Sequence, residues 1–355
     1  MSSASNIQEM DEAAAVGVCE PPRAKLQAPP RRSRIAALDP ATYRRHPLHG
    51  EDRIWAETNC YTDLVIELAH GLGFEPAAAL AFTLAVDFEG DQWTFFKPPA
   101  ADLHELYGFD LQELAIWRPL VEHVVEQVDA GRPVLVELDS WFLPDTAGTA
   151  YRLAHAKTTV GVNEIDAAHG RLGYFHNAGY YALEGDDFRE VFQLDGAPHE
   201  RVLPPYVEYV KWRPGFTAPR GAELAEVSRG LLARHLARVP RENPFPRFKA
   251  RLEHDLAWLM GSDIARFHVY SFANLRQYGA CFELGETYLR WLASHGTGGL
   301  EAPAAALRGI AETAKRLQFQ LARAMARGKP LDLAPVEDMA AQWDLAMGGL
   351  RERHA

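Results

Sequence analysis

A cysteine at the predicted start of a helix is the residue with the clearest chemical potential in this sequence. Cys60 follows Thr58 and Asn59, which are residue types that commonly cap the first turn of a helix. The free N–H groups and the positive dipole end of a helix start favour the thiolate, the nucleophilic form of cysteine. The same N–H groups, together with the Asn59 amide, could bind the oxyanion of a tetrahedral intermediate. The alternative is that Cys60 is a small buried hydrophobic residue.

A thiolate nucleophile needs a base, and two further residues are candidates for the rest of such a site. His155 precedes the predicted strand AKTTVGV, and Asn177 ends the next predicted strand, LGYFHN. Adjacent antiparallel strands joined by a short turn bring such end positions side by side. We therefore predict that His155 takes the thiol proton while Asn177 orients its imidazole. His176 and Asp166 compete for these roles, and a histidine at a strand end is also a common structural residue.

Two other groups of residues are predicted to contact substrate. Three acidic residues alternate in VDFEGDQW and would share one face of an extended segment: Asp87, Glu89 and Asp91. This face suits a cationic amine or a divalent ion, although an acidic turn around Gly90 explains the same pattern. Asp139 and Trp141 follow the predicted strand PVLVEL. They could wall a substrate pocket, or they could pack where the sheet meets the helices.

A basic stripe on one predicted helix is a candidate docking surface. Residues at spacings near seven fall on one side of the helix 302–327, and this set comprises Arg308, Lys315, Arg316, Arg323 and Arg327. Such a stripe on an acidic protein could attract an acidic carrier protein, and arginines suit a phosphate group. The alternative is an ordinary solvated helix face.

The elements that must position these residues fall into a mixed half and a helical half. A helix is predicted over Cys60–Leu72, a short strand at Trp93–Phe96 and a helix over Leu111–Val128 interrupted at Pro119. Strands are predicted at 133–138, 156–162, 172–176 and 179–183, and helices at 222–239, 248–260, 265–294, 302–327 and 336–353. The order predicts the α+β class, with a disordered tail over 1–38, a catalytic domain over 39–214 and a helical domain over 215–355.

Composition and charge exclude several classes of protein. Hydrophobic residues make up 47% and charged residues 24% of the 355-residue chain, as in a globular protein. The net charge of −11 argues against a nucleic-acid binder, and no apolar run is long enough to predict a membrane span. The three cysteines form no C-x-x-C pair, and no phosphate-binding glycine motif is present. We therefore expect a cytoplasmic protein without a bound metal.

Three stretches carry a resemblance to a known family: NCYTDLVIELAHGLG, PVLVELDSWFLPDTAG, and HAKTTVGVNEID with RLGYFHN. They resemble the papain-like N-terminal domain of the butirosin-biosynthesis acyltransferase family, which is related to double-glycine bacteriocin-processing peptidases. From about residue 40 the chain also resembles an uncharacterised bacterial family with members near genes for carrier-protein amino-acid activation. The resemblance implies a helix packed on an antiparallel sheet, with Cys60 as acyl acceptor, His155 as base and acid, and Asn177 as orienting residue. Papain-like enzymes usually carry a glutamine shortly before the cysteine, but Ile54–Thr58 contains none.

The function implied by this resemblance is transfer of an aminoacyl group from a carrier-protein thioester to an amine acceptor. The carrier's phosphopantetheine arm would be a substrate, and the enzyme itself would hold no cofactor. Two alternatives remain. A cysteine peptidase or amidase would use the same residues with water as acceptor. A non-catalytic carrier-binding scaffold would keep the fold with an unreactive Cys60.

Overall fold

The computed structural model describes residues 31–35, 37–195 and 203–354. Its strands are β1 (Arg31–Arg32), β2 (Phe109–Glu113), β3 (Val134–Asp139), β4 (Lys157–Asp166), β5 (Arg171–His176), β6 (Gly179–Glu184) and β7 (Val207–Trp212). Its α-helices are α1 (Cys60–Gly71), α2 (Ala100–Tyr107), α3 (Leu120–Asp129), α4 (Asp186–Val191), α5 (Gly221–Leu236), α6 (Phe245–Met260), α7 (Ile264–Ser271), α8 (Gln277–Ser294), α9 (Glu301–Arg327) and α10 (Ala334–His354).

The strands form one antiparallel sheet, and the register of its strands determines which residues lie opposite one another near the candidate site. Six strands follow the order β2-β7-β3-β4-β5-β6, and β1 pairs with the far end of β4. The β3–β4 pairing extends to Asp139 opposite Lys157. The β4–β5 pairing begins later, at Gly161 opposite Phe175. Backbone pairing with β3 therefore reaches the start of β4, whereas backbone pairing with β5 begins only at Gly161.

Helix α1 lies between the sheet and the helical half, so it is buried on all sides. Every residue from Tyr61 to Ala69 is buried. Its close approach to β4 depends on Gly161, because a Cβ there would lie 2.6 Å from Cδ1 of Leu64. The polar residues on α1 consequently need partners inside the protein.

A ten-residue 3-10 helix, Pro76–Ala85, joins the two halves. It is almost entirely apolar, and Pro76–Leu84 is buried. Its residues belong to one hydrophobic cluster with residues of α1, α5, α8 and α9. The Ser228 hydroxyl of α5 donates to the Ala78 carbonyl at 2.8 Å, and buried His235 pairs with Asp102 of α2 at 2.6 Å. The two halves therefore share a core.

A second, smaller apolar cluster lies on the opposite face of the sheet, beneath α3. Val124 and Val128 of α3 belong to this cluster together with Val136 of β3 and Val160 of β4, which are directly opposite each other in the sheet. The sheet is thus covered on both faces, by α1 on one and by α3 on the other.

The sequence-based α+β class and helical second half are confirmed, but several local predictions are wrong. Trp93–Phe96 is not a strand, since it contributes only an isolated bridge from Phe88 to Trp93. The predicted helix over Leu111–Val128 begins as part of β2, because this backbone pairs with β7, and only Leu120–Asp129 is helical.

Part of the predicted tail is packed against the domain. Residues 1–30 and residue 36 lie outside the described part of the chain, but Arg31–Arg32 pairs with β4 and Ile35 is buried. Among the described residues, no helix combines the length and hydropathy needed to cross a bilayer.

Candidate active site

Cys60 is the first residue of α1, as the sequence predicts, and it is partly exposed. Its Sγ donates to Oγ1 of Thr159 on β4 at 3.9 Å. Among the described residues, the N–H groups of Cys60 and Tyr61 donate no hydrogen bond, whereas Thr62 and Asp63 donate to Asn59. The sulfur therefore lies beside two unused donors at the positive end of the helix.

Asn59 caps the helix and does not offer its amide to a ligand. Its Oδ1 accepts from the Thr62 N–H, and its Nδ2 donates to the Phe96 carbonyl, both at 3.0 Å. The side chain is buried with only 2% exposure. The observed contacts give Asn59 a structural role, because both ends of its side chain bind within the fold, and the oxyanion role stays a prediction. The free N–H groups of Cys60 and Tyr61 are better placed for that role.

His155 is held by Asp139 and Trp141. Its Nδ1 lies 2.6 Å from Oδ2 of Asp139, and its ring stacks on Trp141 with centroids 4.5 Å apart and an interplanar angle of 11°. Oδ1 of Asp139 also accepts from the Trp141 N–H. With Nδ1–H donated to the carboxylate, Nε2 is left as the basic nitrogen. The ring is 68% exposed, so it is accessible to substrate and to water.

Cys60 and His155 face the same side of the sheet. Thr159 and Lys157 are two residues apart on β4, so their side chains share a face and lie ~7 Å apart. Asp139 is directly opposite Lys157. Among the described residues, no hydrogen bond joins Cys60 to His155, and each side chain has its own partner. Their hydrogen-bond partners, Thr159 and Asp139, lie on this face of adjacent strands, but the two side chains are not hydrogen-bonded to each other.

Asn177 does not orient His155. It lies in the turn between β5 and β6 with a φ of 46°, and the β4–β5 pairing starts six residues after His155. Asp139, predicted only as a substrate contact, takes the orienting position because β3 pairs with β4 as far as Lys157.

The two halves of the fold correspond to two known domains. Residues 44–212 match the DUF1839 N-terminal domain, and residues 221–352 match the DUF1839 C-terminal domain. The chain belongs to the DUF1839 family. A search of curated proteins finds no match. The N-terminal match includes Cys60, Asp139 and His155, and the segment 213–220 separates the two domains.

In this DUF1839 protein, a buried histidine anchors the loop that carries Trp141 and His155. His176 Nδ1 lies 2.5 Å from Oδ2 of Asp145, and its Nε2 lies 2.7 Å from Oγ1 of Thr158. His176 is 1% exposed. His176 was a rival for the catalytic base, but its burial and its two partners give it a structural position.

A second buried hydrogen-bond network fixes Thr58, which lies two residues before Cys60. His49 bridges two carboxylates of α1, with Nδ1 2.5 Å from Glu67 and Nε2 3.2 Å from Asp63. Asp63 in turn accepts from the N–H and hydroxyl of Thr58. Burial lowers the pKa of His49, but hydrogen bonds to Asp63 and Glu67 outweigh it and raise that pKa to about 9. Because Thr58 immediately precedes the helix cap, this cluster fixes the position of the helix start.

The helical half also holds the loop before Cys60. The carboxylate of Glu283 on α8 accepts from the N–H groups of Ile54 and Trp55 at 2.9 and 2.8 Å. Arg276, at the start of the same helix, lies 3.5 Å from Glu57. The DUF1839 C-terminal domain thus contacts the loop that presents the cysteine.

The predicted acidic substrate face is engaged by α6 instead. Asp87 accepts from Arg247 at 2.6 Å, and Glu89 accepts from Thr94 within the same turn. Asp91 is exposed beside the Gly90 carbonyl, which accepts from Arg251. The segment is an acidic turn that docks on basic residues of α6. No group of three or more potential ligands in the described residues is arranged to hold a metal.

The predicted basic stripe on α9 is not continuous. Arg308 pairs with Glu312 at 2.9 Å, and Arg316 donates to Thr313, while Arg323 is exposed. Lys315 lies over the Trp55 ring, 4.1 Å from its centroid, and burial lowers its pKa. Only Lys315 of this set therefore reaches the loop before Cys60.

Several residues that build the site were not among the candidates that the sequence predicts. His49, Thr159 and Glu283 each act through long-range contacts, so local pattern carries no signal for them. Asp145 sits in the stretch LPDTAG, and only its proximity to a strand end could have marked it.

Proposed function

We propose that this DUF1839 protein is a cysteine-dependent acyltransferase in which Cys60 carries the acyl group. The observation that supports this most directly is the partly exposed sulfur at the start of α1, beside two unused N–H groups. On the same face of the sheet, Asp139 holds a solvent-accessible imidazole. A nucleophile, donors for an oxyanion and an oriented base are the parts that acyl transfer through a covalent intermediate requires.

The first half of the proposed reaction forms an acyl-enzyme. The Cys60 thiolate attacks the carbonyl carbon of a thioester, and the negative oxygen of the tetrahedral intermediate is bound by the N–H groups of Cys60 and Tyr61. The intermediate then collapses: the bond from the carbonyl carbon to the donor sulfur breaks, and the bond from that carbon to Sγ of Cys60 is kept. His155, protonated by the cysteine thiol, returns that proton to the departing thiolate.

The second half transfers the acyl group to an amine. His155 Nε2 takes a proton from the attacking amine as its nitrogen bonds to the acyl carbon. The bond from that carbon to Sγ then breaks, which regenerates the Cys60 thiolate and leaves an amide product. Asp139 keeps Nδ1 protonated and so maintains Nε2 as the basic atom throughout.

The proposed reaction requires a movement of side chains, because Cys60 and His155 each contact other residues in this structure. Cys60 Sγ donates to Thr159 and His155 stacks on Trp141, so donor binding must bring the imidazole and sulfur together. His155 is mostly exposed, and the side chains that hold it are Asp139 and Trp141. A papain-like relationship for the N-terminal half fits this scheme, since a helix-start cysteine and a histidine at a strand start are the parts that the sequence resemblance names.

A carrier-bound thioester is the proposed donor. The sequence has no nucleotide-phosphate motif, which suits a substrate that arrives already activated. Cations border the chain around the cysteine: Lys97 lies 4.1 Å from the Tyr61 ring centroid, Lys315 lies over Trp55, and Arg276 is beside Glu57. Of the α9 stripe only Lys315 is kept, and with Lys97 and Arg276 it forms the proposed contacts for an acidic carrier and its arm.

The direct test is acylation of the intact protein by an aminoacyl N-acetylcysteamine thioester, followed by mass spectrometry. We expect one acyl group per chain in the native protein and in a Cys281→Ala variant, and none in Cys60→Ala. Cys281 is a matched control because it is fully buried, and that burial raises its thiol pKa. Acylation that persists in Cys60→Ala, or no acylation of the native protein, would contradict the proposal and favour a scaffold.

The acceptor is tested in the same assay by adding an amine. Amide formation at the expense of free acid supports transfer. Release of free acid alone, whatever amine is present, would instead assign the site to a hydrolase, which the open exposure of His155 to water makes the second candidate.

A further inference from the structure

A pocket formed where the N-terminal half meets the linking segment 213–220, here called the junction pocket, has the lining of an anion site. It has a volume of about 280 Å³ and lies at the opposite end of α1 from Cys60, bordered by Leu72. Helix α1 has 12 residues, so the two sites are separated by about 18 Å along it. A ligand bound in this pocket would therefore be independent of the proposed acyltransferase activity at Cys60.

Three arginines supply the charge of this junction pocket. Arg34, Arg213 and Arg220 all line it, and no aspartate or glutamate does. Among the described residues, none of the three forms an ion pair, although many arginines of this acidic chain do, as Arg118 and Arg152 illustrate. These three arginines are exposed, and their positive charge is not neutralised by a carboxylate of the pocket lining, so it is available to an anion.

Aromatic rings form the rest of the wall. Arg34 lies over the Trp212 ring at 4.9 Å from its centroid, and Arg213 lies over the Phe216 ring at 5.2 Å. Phe74 lines the same pocket. Rings that hold guanidinium groups in place pre-organise them for planar anions and offer faces on which a flat ligand can stack.

The start of helix α5 and the turn Arg213–Phe216 both border the pocket. Arg220 immediately precedes helix α5 as its N-cap residue, and its side chain makes no cap hydrogen bond. The turn Arg213–Phe216 packs on Gly108, where a Cβ would lie 2.5 Å from the Phe216 ring. The positive end of α5 thus borders a pocket whose wall is the segment between the two domains. The volume corresponds to about nine waters, which is more than a bare phosphate needs.

We propose that the junction pocket binds a small organic anion, a phosphate or carboxylate group attached to a flat ring. The arginines would bind the anionic group, and Trp212, Phe216 and Phe74 would contact the ring. This assigns a ligand site to the segment that links the domains.

The experiment is calorimetric titration of the full-length protein with phenyl phosphate, benzoate and inorganic phosphate at low salt. We expect phenyl phosphate or benzoate to bind at least about tenfold more tightly than inorganic phosphate, because only the former two can also stack. Whichever of the two binds more tightly identifies the anionic group. If neither binds, the proposal is wrong.

Two variants and one control distinguish specific binding in the pocket from non-specific attraction of anions to arginines. Arg34→Ala and Arg213→Ala are each expected to weaken binding by about tenfold or more, since each removes a charge-assisted contact. Arg266→Ala is the matched control, because Arg266 lies 5.4 Å from the Trp258 ring centroid and does not line the pocket. Equal effects of all three variants, or none, would overturn the assignment.

A measurement on the unaltered protein covers the case in which a variant misfolds. Phenylglyoxal modifies accessible arginines, and bound phenyl phosphate should slow modification of Arg34 and Arg213 but not of Arg266. Equal rates at all three positions would count against the site.

Discussion

Replacing His49 with glutamine should remove a pH-dependent part of the protein's stability. His49 is fully buried between Asp63 and Glu67, and its partners raise its pKa to about 9. At neutral pH the imidazolium therefore balances two buried carboxylates. Glutamine keeps a hydrogen-bonding side chain but cannot supply the charge, so both acids lose their counter-charge.

The magnitude follows from the pKa difference between the folded and unfolded states. The shift from 6.5 to about 9 corresponds to stabilisation on the order of 3 kcal/mol. Because the folded-state pKa is the higher one, this contribution is complete below about pH 6.5. It is lost progressively as the pH rises to about 9. Glu67 behaves in the opposite sense: burial raises its pKa, but hydrogen bonds from His49 and Tyr43 dominate and lower it, so its contribution is lost as the pH falls.

Urea unfolding of the native and His49→Gln proteins, followed by circular dichroism across this pH range, measures the effect. The difference in unfolding free energy should be largest near pH 6 and should shrink as the pH rises from about 6.5 to about 9. His254→Gln is the control, since His254 is 83% exposed and should show little difference at any pH. A difference between native and His49→Gln proteins that stays constant from pH 6 to above 9 would refute a buried imidazolium.

Two further substitutions test the site and the packing behind it. Asp139→Asn should slow single-turnover acylation by at least about tenfold, because an amide no longer fixes the tautomer of His155; an unchanged rate would remove Asp139 from the scheme. Gly279→Ala places a Cβ 2.7 Å from the Trp55 ring and should lower the free energy of unfolding by about 1–3 kcal/mol in urea titrations. Gly230→Ala, in open space on α5, is its control and should be neutral or stabilising; similar losses in both variants would show that the close contact is unimportant.

Local sequence pattern predicted the elements whose identity depends on neighbouring residues. Asn59 and the apolar spacing that follows were enough to place the start of α1 at Cys60, and the β-branched runs placed β3 and β4. Strand β2 was missed because its partner is β7, about a hundred residues later, and FDLQE alone does not show that pairing.

The error over Asn177 has the same physical origin. The sequence indicated that β4 and β5 are adjacent, which is correct, but not where their pairing starts. That register lies beyond the reach of local pattern, because the residue opposite each position depends on strand offset. The sequence predicted Asp139 as a substrate contact. The β3–β4 register instead brings it beside His155, with which it forms a hydrogen bond.

The helical C-terminal half belongs to the site because the fold does not separate into two independent units. The apolar 3-10 helix Pro76–Ala85 is covered by α5 and α8, and the buried carboxylate of Asp102 has its partner on α5 in His235. Division of the chain between the two matched domains would expose that apolar segment to water and remove the partner of Asp102, and both changes are costly. It would also remove Glu283 from the backbone N–H groups of the loop that precedes Cys60. The position of Cys60 is therefore determined by residues of both domains.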